Sequence, residues 1–135
     1  MELKVRQLAE SDWDTLVSWW DWWPEWQAPP KSFLPENGTS GLMVYKDNTP
    51  IVAGFLYFTN SEGVLFEWVI SNPEYKERDR KQAIEMLITS AEEACMLAGK
   101  KHMFSIGRNK SLIKIHENLG WTVDKSPSHE LIKNI

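Results

Sequence analysis

Two groups in this sequence could move protons. Glu67 interrupts an apolar run, Val64-Leu65-Phe66-Glu67-Trp68-Val69-Ile70, where a carboxylate costs free energy unless it is paired or hydrogen-bonded. So placed, it can act as a general base, directly or through water. It can equally be a paired structural Glu or a sheet-edge charge. His116 lies in a stretch with helical spacing. Imidazole has an ordinary pKa near neutrality, so it could act as a general acid, or simply sit half-exposed on an amphipathic helix. His102 and His129 have no ligand spacing around them and read as structural. Cys95 falls on an apolar helical face, which favours packing over nucleophilic chemistry. A lone cysteine also allows no internal disulfide and no structural zinc site, and no metal is expected.

A second kind of chemistry is anion binding. Lys76, Arg78, Arg80 and Lys81 cluster just ahead of a long helical pattern. A helix start offers unpaired N–H groups and a partial positive charge, a ready site for a phosphate, and the basic side chains add charge-assisted hydrogen bonds. The alternative is a solvated basic turn balanced by Glu74, Glu77 and Asp79.

The third feature is tryptophan. There are eight, five of them between Trp19 and Trp26. Trp20 and a neighbour or two can fill a core; Trp19, Trp22, Trp23 and Trp26 can line an aromatic pocket; stacked rings can also hold single-stranded bases. Asp14, Asp21 and Glu25 surround the rings and only Lys31 is basic nearby. That pattern disfavours a phosphate backbone and suits an amine, through cation–π contact.

These groups need a scaffold. A chain of 135 residues fits one domain, spanning 1–135. Hydrophobic residues make up 42% and charged residues 25%, ordinary for a globular protein. The net charge of −4 gives no general pull toward nucleic acid or anionic lipid. No apolar run reaches the ~20 residues of a membrane span, and the opening residues lack the pattern of a secretory signal. With the lone cysteine, this points to a reducing compartment and a cytoplasmic location.

Leu3 to Leu8 alternates as a first strand. Ser11 is placed to cap a helix with Leu16, Val17 and Trp20 inside, which Pro24 ends. Residues 24–40 form an irregular connection with four prolines. Strands follow at 41–46, 51–59 and 64–71, joined by tight turns and so antiparallel. A long helix over 79–98 carries Ile84, Leu87, Ile88, Ala91, Cys95 and Ala98 on one face, with Gly99 as its stop. A strand at 102–106, a short helix ending at Gly120, and one or two closing strands around Ser126-Pro127-Ser128 complete the order. The long helix makes the strands at 64–71 and 102–106 parallel neighbours in a right-handed crossover. The class is α/β, an α+β mixed sheet in the order β-α-β-β-β-α-β-α-β(-β).

That order is similar to the GCN5-related N-acetyltransferase (GNAT) family, an acyl-CoA N-acyltransferase fold. Two motifs carry the resemblance. Asn109 to Trp121 looks like the family's late helix, where Asn is followed seven residues on by Tyr, then Glu, Lys, Leu, Gly and Phe. Asn109, Glu117, Leu119 and Gly120 match; His116 stands for the Tyr and Trp121 for the Phe. Val69-Ile70-Ser71-Asn72-Pro73-Glu74-Tyr75 resembles the family's Val-x-Pro-Glu-Tyr strand end, with Ser71 for its last Val. The pyrophosphate loop, Arg/Gln-x-x-Gly-x-Gly/Ala, finds its best register at Arg78-Asp79-Arg80-Lys81-Gln82-Ala83, where Lys81 replaces the central Gly.

The resemblance implies an enzyme that moves an acetyl group from acetyl-CoA to a primary amine of a small molecule or peptide. Acetyl-CoA is then a co-substrate, and no metal is called for. Val69, Ile70 and Ser71 would align the pantetheine arm, and Arg78, Asp79, Arg80, Lys81, Gln82 and Ala83 would hold the phosphates. Asn109 would cap its helix and reach the arm. Glu67 would be the base, and His116 would protonate the thiolate. Closing strands could pair with a second copy to give a homodimer, as relatives often do. The rival reading is a catalytically inactive member of the fold that has lost acyl-CoA binding and serves as an interaction module.

Overall fold

The computed structural model describes residues 2–126 and 128–135. Its strands are β1 (Lys4–Gln7), β2 (Gly41–Lys46), β3 (Thr49–Phe58), β4 (Gly63–Ser71) and β5 (His102–Phe104); its α-helices are α1 (Trp13–Asp21), α2 (Arg80–Leu97) and α3 (Lys110–Asn118). They form one five-stranded sheet in the order β1-β2-β3-β4-β5. The first three pairings are antiparallel and β4–β5 is parallel, as the long crossover through α2 requires.

The sheet separates two cores. On one face Leu16, Trp19 and Trp20 of α1 pack with Met43, Ala53, Phe55 and Ile70. On the other, Ala83, Leu87, Ile88, Ala91 and Cys95 of α2 and Ile115 of α3 pack on Val44, Val52, Leu56, Val64 and Phe66. The alternation within β2 to β4 thus serves both faces, which is why these strands read as near-continuous apolar runs. Gly99 closes α2 with a φ of 75°, a left-handed conformation that glycine adopts without steric cost.

Three local expectations are corrected. Ser11 does not cap α1. A single 3-10 turn (Glu10–Asp12) precedes the helix, and Asp12 instead accepts the Ala9 amide at 2.8 Å and a two-pronged bond from Arg6, both prongs 2.8 Å. Ala98 is exposed beyond the end of α2. No strand is present in 122–126 or 128–135, whereas closing strands are expected there; Pro127, the centre of that expected turn, lies outside the described residues. The apolar residues of this end, Leu131, Ile132 and Ile135, are 94%, 72% and 113% exposed. They bury nothing against the sheet, so the segment gains no burial to offset the entropy of pairing.

Candidate active site

β4 is ordinary sheet in its first half and something else in its second. Gly63, Val64 and Leu65 pair with His102, Met103 and Phe104, and there the pairing with β5 stops. On the other side, β3 advances two residues from Ala53 to Phe55 while β4 advances three, from Ile70 to Glu67. The extra residue is a β-bulge, and within it Trp68 has a φ of 59°, rare for a bulky side chain. The bulge begins at Glu67, just past the point where pairing with β5 ends.

It also breaks the two-residue period. Strict alternation puts Glu67 on one face with Leu65 and Val69. In the structure Val69 packs into the α2 core with Phe66, while Trp68 and Ile70 join the α1 core. Gly54 faces this point from β3. A Cβ there would come within 2.7 Å of the Phe66 ring and 3.3 Å of Val69, so a side chain at 54 would push the bulge apart.

Glu67 bridges the gap left where backbone pairing between β4 and β5 has stopped. Its Oε1 accepts the Ile106 amide at 2.8 Å and the Ser105 hydroxyl at 3.3 Å, both just past the end of β5. No donor among the described residues reaches Oε2. Burial pushes the carboxyl above its ordinary value, and the two hydrogen bonds pull back against that. The result is a half-buried carboxylate with one oxygen anchored and one open, the arrangement a positioned proton acceptor needs.

The start of α2 lies at the end of the same strand. Asp79 occupies the N-cap position but makes no side-chain cap. Its Oδ2 accepts Lys46 Nζ at 2.8 Å and its Oδ1 accepts the Tyr75 hydroxyl at 2.6 Å. The Lys46 hydrogen bond, then the one from Tyr75, hold the Asp79 carboxyl below its ordinary range; the same contacts raise Lys46. The Arg80 amide bonds Glu77 O and the Ala83 amide bonds Asp79 O, leaving the amides of Lys81 and Gln82 without an acceptor among the described residues. Arg80 ties this tip to the strand by donating to Ser71 Oγ at 2.7 Å. Arg78, Arg80, Lys81 and Gln82 are exposed, whereas the Ala83 side chain is fully buried and faces the core. The structure therefore brings the ends of Val69 to Ser71 and residues 78–83 together.

The other sequence candidates separate. Asn109 Oδ1 caps α3 by accepting the Leu112 amide at 3.1 Å. His116 is 7% exposed rather than half-exposed. Its Nδ1–H is placed to donate to Leu112 O at 2.9 Å, and its Nε2 is sealed from solvent without a partner among the described residues. The ring lies 4.7 Å from that of Trp121, edge on, and 6.2 Å from that of Phe66. Trp19 is 4% exposed inside the α1 core, so it presents no face to an acceptor. Its spacing with Leu16 and Trp20 on α1 explains the burial. Trp22, Trp23 and Trp26 are exposed past the end of α1; the rings of Trp23 and Trp26 lie 5.4 Å apart.

The aromatic groups that neighbour Glu67 are different ones, and the sequence reading missed them. Trp68 Nε1 donates to the Tyr57 hydroxyl at 2.9 Å, which donates to Phe33 O at 3.0 Å. The Phe33 and Trp68 rings meet edge on at 5.9 Å. The only sequence signal for Tyr57 was its place two residues beyond Phe55 on the same strand face; Phe33 carried none.

The chain matches no protein-family model and no curated protein. Solved structures do match it along its length. An aminoglycoside acetyltransferase from an uncultured soil metagenomic sample, in complex with trehalose, is 13% identical with a TM-score of 0.69 over 98% of this chain and 97% of its own. AAC(6')-Iy, in complex with the bisubstrate analog CoA-S-monomethyl-acetylneamine, is 16% identical with a TM-score of 0.67 over all of both chains. The ribosomal-protein-S18-alanine N-acetyltransferase from Escherichia coli is 11% identical with a TM-score of 0.69, over 88% of this chain and 77% of its own. The chain has the GNAT fold. The α/β class and the mixed sheet expected from the sequence are borne out. In this GNAT-fold chain the parted strands and the tip of α2 adjoin, and no helix among the described residues is long and apolar enough to cross a membrane. No cluster of three or more metal-ligating side chains is found among those residues either.

Proposed function

We propose that the protein is an N-acetyltransferase that moves an acetyl group from acetyl-CoA to a primary amine. The observation that carries this reading is the open oxygen of Glu67 in the gap beside β5, on the strand that leads to an uncapped helix tip. The pyrophosphate is assigned to the free amides of Lys81 and Gln82, with Arg78, Arg80 and Lys81 supplying charge. Backbone groups of Val69, Ile70 and Ser71, freed from β5, run beside the pantetheine arm. Asn109 uses its oxygen as a cap and keeps its amide N–H groups for that arm. Lys81 is compatible with a close phosphate despite replacing a glycine, because its side chain is exposed.

The acceptor amine meets the thioester at the gap, where proximity and backbone polarisation of the carbonyl supply much of the rate. Glu67 takes the amine proton, directly or through a water, as the C–N bond forms. The C–S bond then breaks and coenzyme A leaves as its thiol. His116 is assigned to packing, because its Nε2 is sealed from solvent; the proton on sulfur comes from solvent. Trp22, Trp23 and Trp26 are assigned to outer contacts with the acceptor. Acetyl-CoA serves as co-substrate, and no metal takes part in this scheme.

Calorimetry with acetyl-CoA together with a thiol-release assay over a panel of amines tests the reading. Saturable cofactor binding and amine-dependent thiol release are expected; no binding at millimolar cofactor would leave only the inactive-module alternative. Glu67→Gln should lower kcat by at least ~10²-fold without lowering stability at neutral pH. The sign follows from its raised value. Such a group favours the fold most when protonated, and that contribution is lost as pH rises through its folded value. Neutralising it therefore removes nothing at pH 7, and the Gln carbonyl still accepts the Ile106 amide. For the same reason the rising limb of kcat/KM against pH should lie above the ordinary carboxylate value. His116→Phe should leave kcat within about twofold; a ~10²-fold loss at unchanged stability would return His116 to the mechanism.

A further inference from the structure

The acceptor side of the gap has a floor. Tyr57 on β3 pairs with Leu65 on β4, and Leu65 pairs with Phe104 on β5. Directly paired residues point to the same face of a sheet, so these three side chains form a row across three strands. Glu67, two residues beyond Leu65, stands at the end of that row on the same face and pairs with Phe55, which belongs to the α1 core. On this face α1 packs on Met43, Ala53, Phe55 and, at the far end of β4, Ile70; Leu65 and Phe104, toward β5, lie outside that cluster. Leu65 is 39% and Phe104 61% exposed. Leu131 and Ile132 are exposed and do not cover the row, whereas Glu130, paired with Arg108, comes near enough to act on the Glu67 carboxyl. Phe33 and Trp68 stand beside the row, held in place by the Trp68–Tyr57–Phe33 hydrogen-bond chain.

From this arrangement, and resting on the transfer reaction above, we infer that the acceptor is a small primary amine on an aryl or similarly flat apolar body. The body lies on Tyr57, Leu65 and Phe104 against Phe33 and Trp68. The ammonium reaches Oε2 of Glu67, where the carboxylate and the adjacent aromatic faces both favour a cation. The row itself offers a polyhydroxylated amine only the Tyr57 hydroxyl, already bonded to Phe33 O and Trp68, so hydroxyl groups set on Leu65 and Phe104 lose water without replacement. The order of contacts places the amine, and not the body, next to the thioester.

The test uses the full chain and three probes: 2-phenylethylamine, ethanolamine and glucosamine. 2-Phenylethylamine should show a KM at least about tenfold below those of the other two. Leu65→Ser and Phe104→Ser, both at exposed positions, should each raise that KM about tenfold and leave the KM for acetyl-CoA within about twofold. Equal KM values for the three amines would overturn the inference while leaving the transfer reaction standing. So would serine variants that leave KM unchanged and alter the molecular mass in solution instead, which would mean a second copy covers the row. Should no amine be acetylated, the transfer reading fails by itself, and the row is judged by the Trp68 indole N–H resonance. A shift on titration with 2-phenylethylamine but not ethanolamine supports the inference; equal responses to both overturn it.

Discussion

The two helices that follow the parted strands begin in opposite ways. α3 starts with Asn109, whose side chain turns back and caps the Leu112 amide. α2 starts with Asp79, a residue equally suited to capping, yet its carboxylate is drawn off by Lys46 and Tyr75 and caps nothing. Lys46 is 33 residues away on β2. The difference teaches that an N-terminus can be kept open by engaging its natural cap elsewhere. At α3 the cap serves the helix. At α2 the same kind of side chain is neutralised by an ammonium group and held away, and two amides are left to meet an anion.

The largest effect should come from breaking that restraint. Lys46→Met frees Asp79 to cap its own helix and leaves its charge unbalanced beside the phosphate site. Affinity for acetyl-CoA should fall by about tenfold or more, measured by calorimetry. Adding Asp79→Ala to that variant should restore it, because the competing carboxylate is gone. A purely structural ion pair would give the opposite, with the double variant no tighter than Lys46→Met alone. Asp79→Ala by itself should bind the cofactor at least as well as the unaltered chain.

Asn109 gives the smaller, contrasting pair. Asn109→Ala should cost about 1 kcal/mol of stability in a denaturant titration, the usual worth of a lost N-cap. Asn109→Asp keeps the cap and should retain that stability, while cofactor affinity drops about two- to threefold through loss of the amide N–H donors. If Asn109→Asp and Asn109→Ala destabilised equally, the cap at α3 would not be what the comparison takes it to be.

How much of this was legible in the sequence depends on the range over which each feature is written. The helical face of α2, the tight turns of the meander and the glycine stops at 99 and 120 are local, and the residues announce them. So is the position of 78–83 at a helix start. The bulge is not local in that sense. Nothing in Glu67-Trp68-Val69 announces an extra residue, because a bulge is defined only by counting against Ala53 and Phe55 on the partner strand. Assuming strict alternation therefore placed Val69 on the wrong face. The Lys46–Asp79–Tyr75 cluster is hidden for a related reason: Lys46 reads as the polar end of a strand until the fold sets β2 beside α2. The tryptophans between 19 and 26 show the limit of composition. Helical spacing buries Trp19 with Trp20, but what Trp22, Trp23 and Trp26 do is decided after α1 has ended, where no period applies. The closing strands expected around Ser126-Pro127-Ser128 are not found in 122–126 or 128–135, where Leu131, Ile132 and Ile135 stay exposed.

The central claim is that the free amides of Lys81 and Gln82 receive the pyrophosphate of acetyl-CoA. An amide-resolved NMR titration tests it most directly. The account predicts that these two N–H resonances move furthest among the amides of residues 76–86 and saturate with the calorimetric binding curve. Cofactor binding that left both resonances in place, with the largest shifts elsewhere, would contradict it.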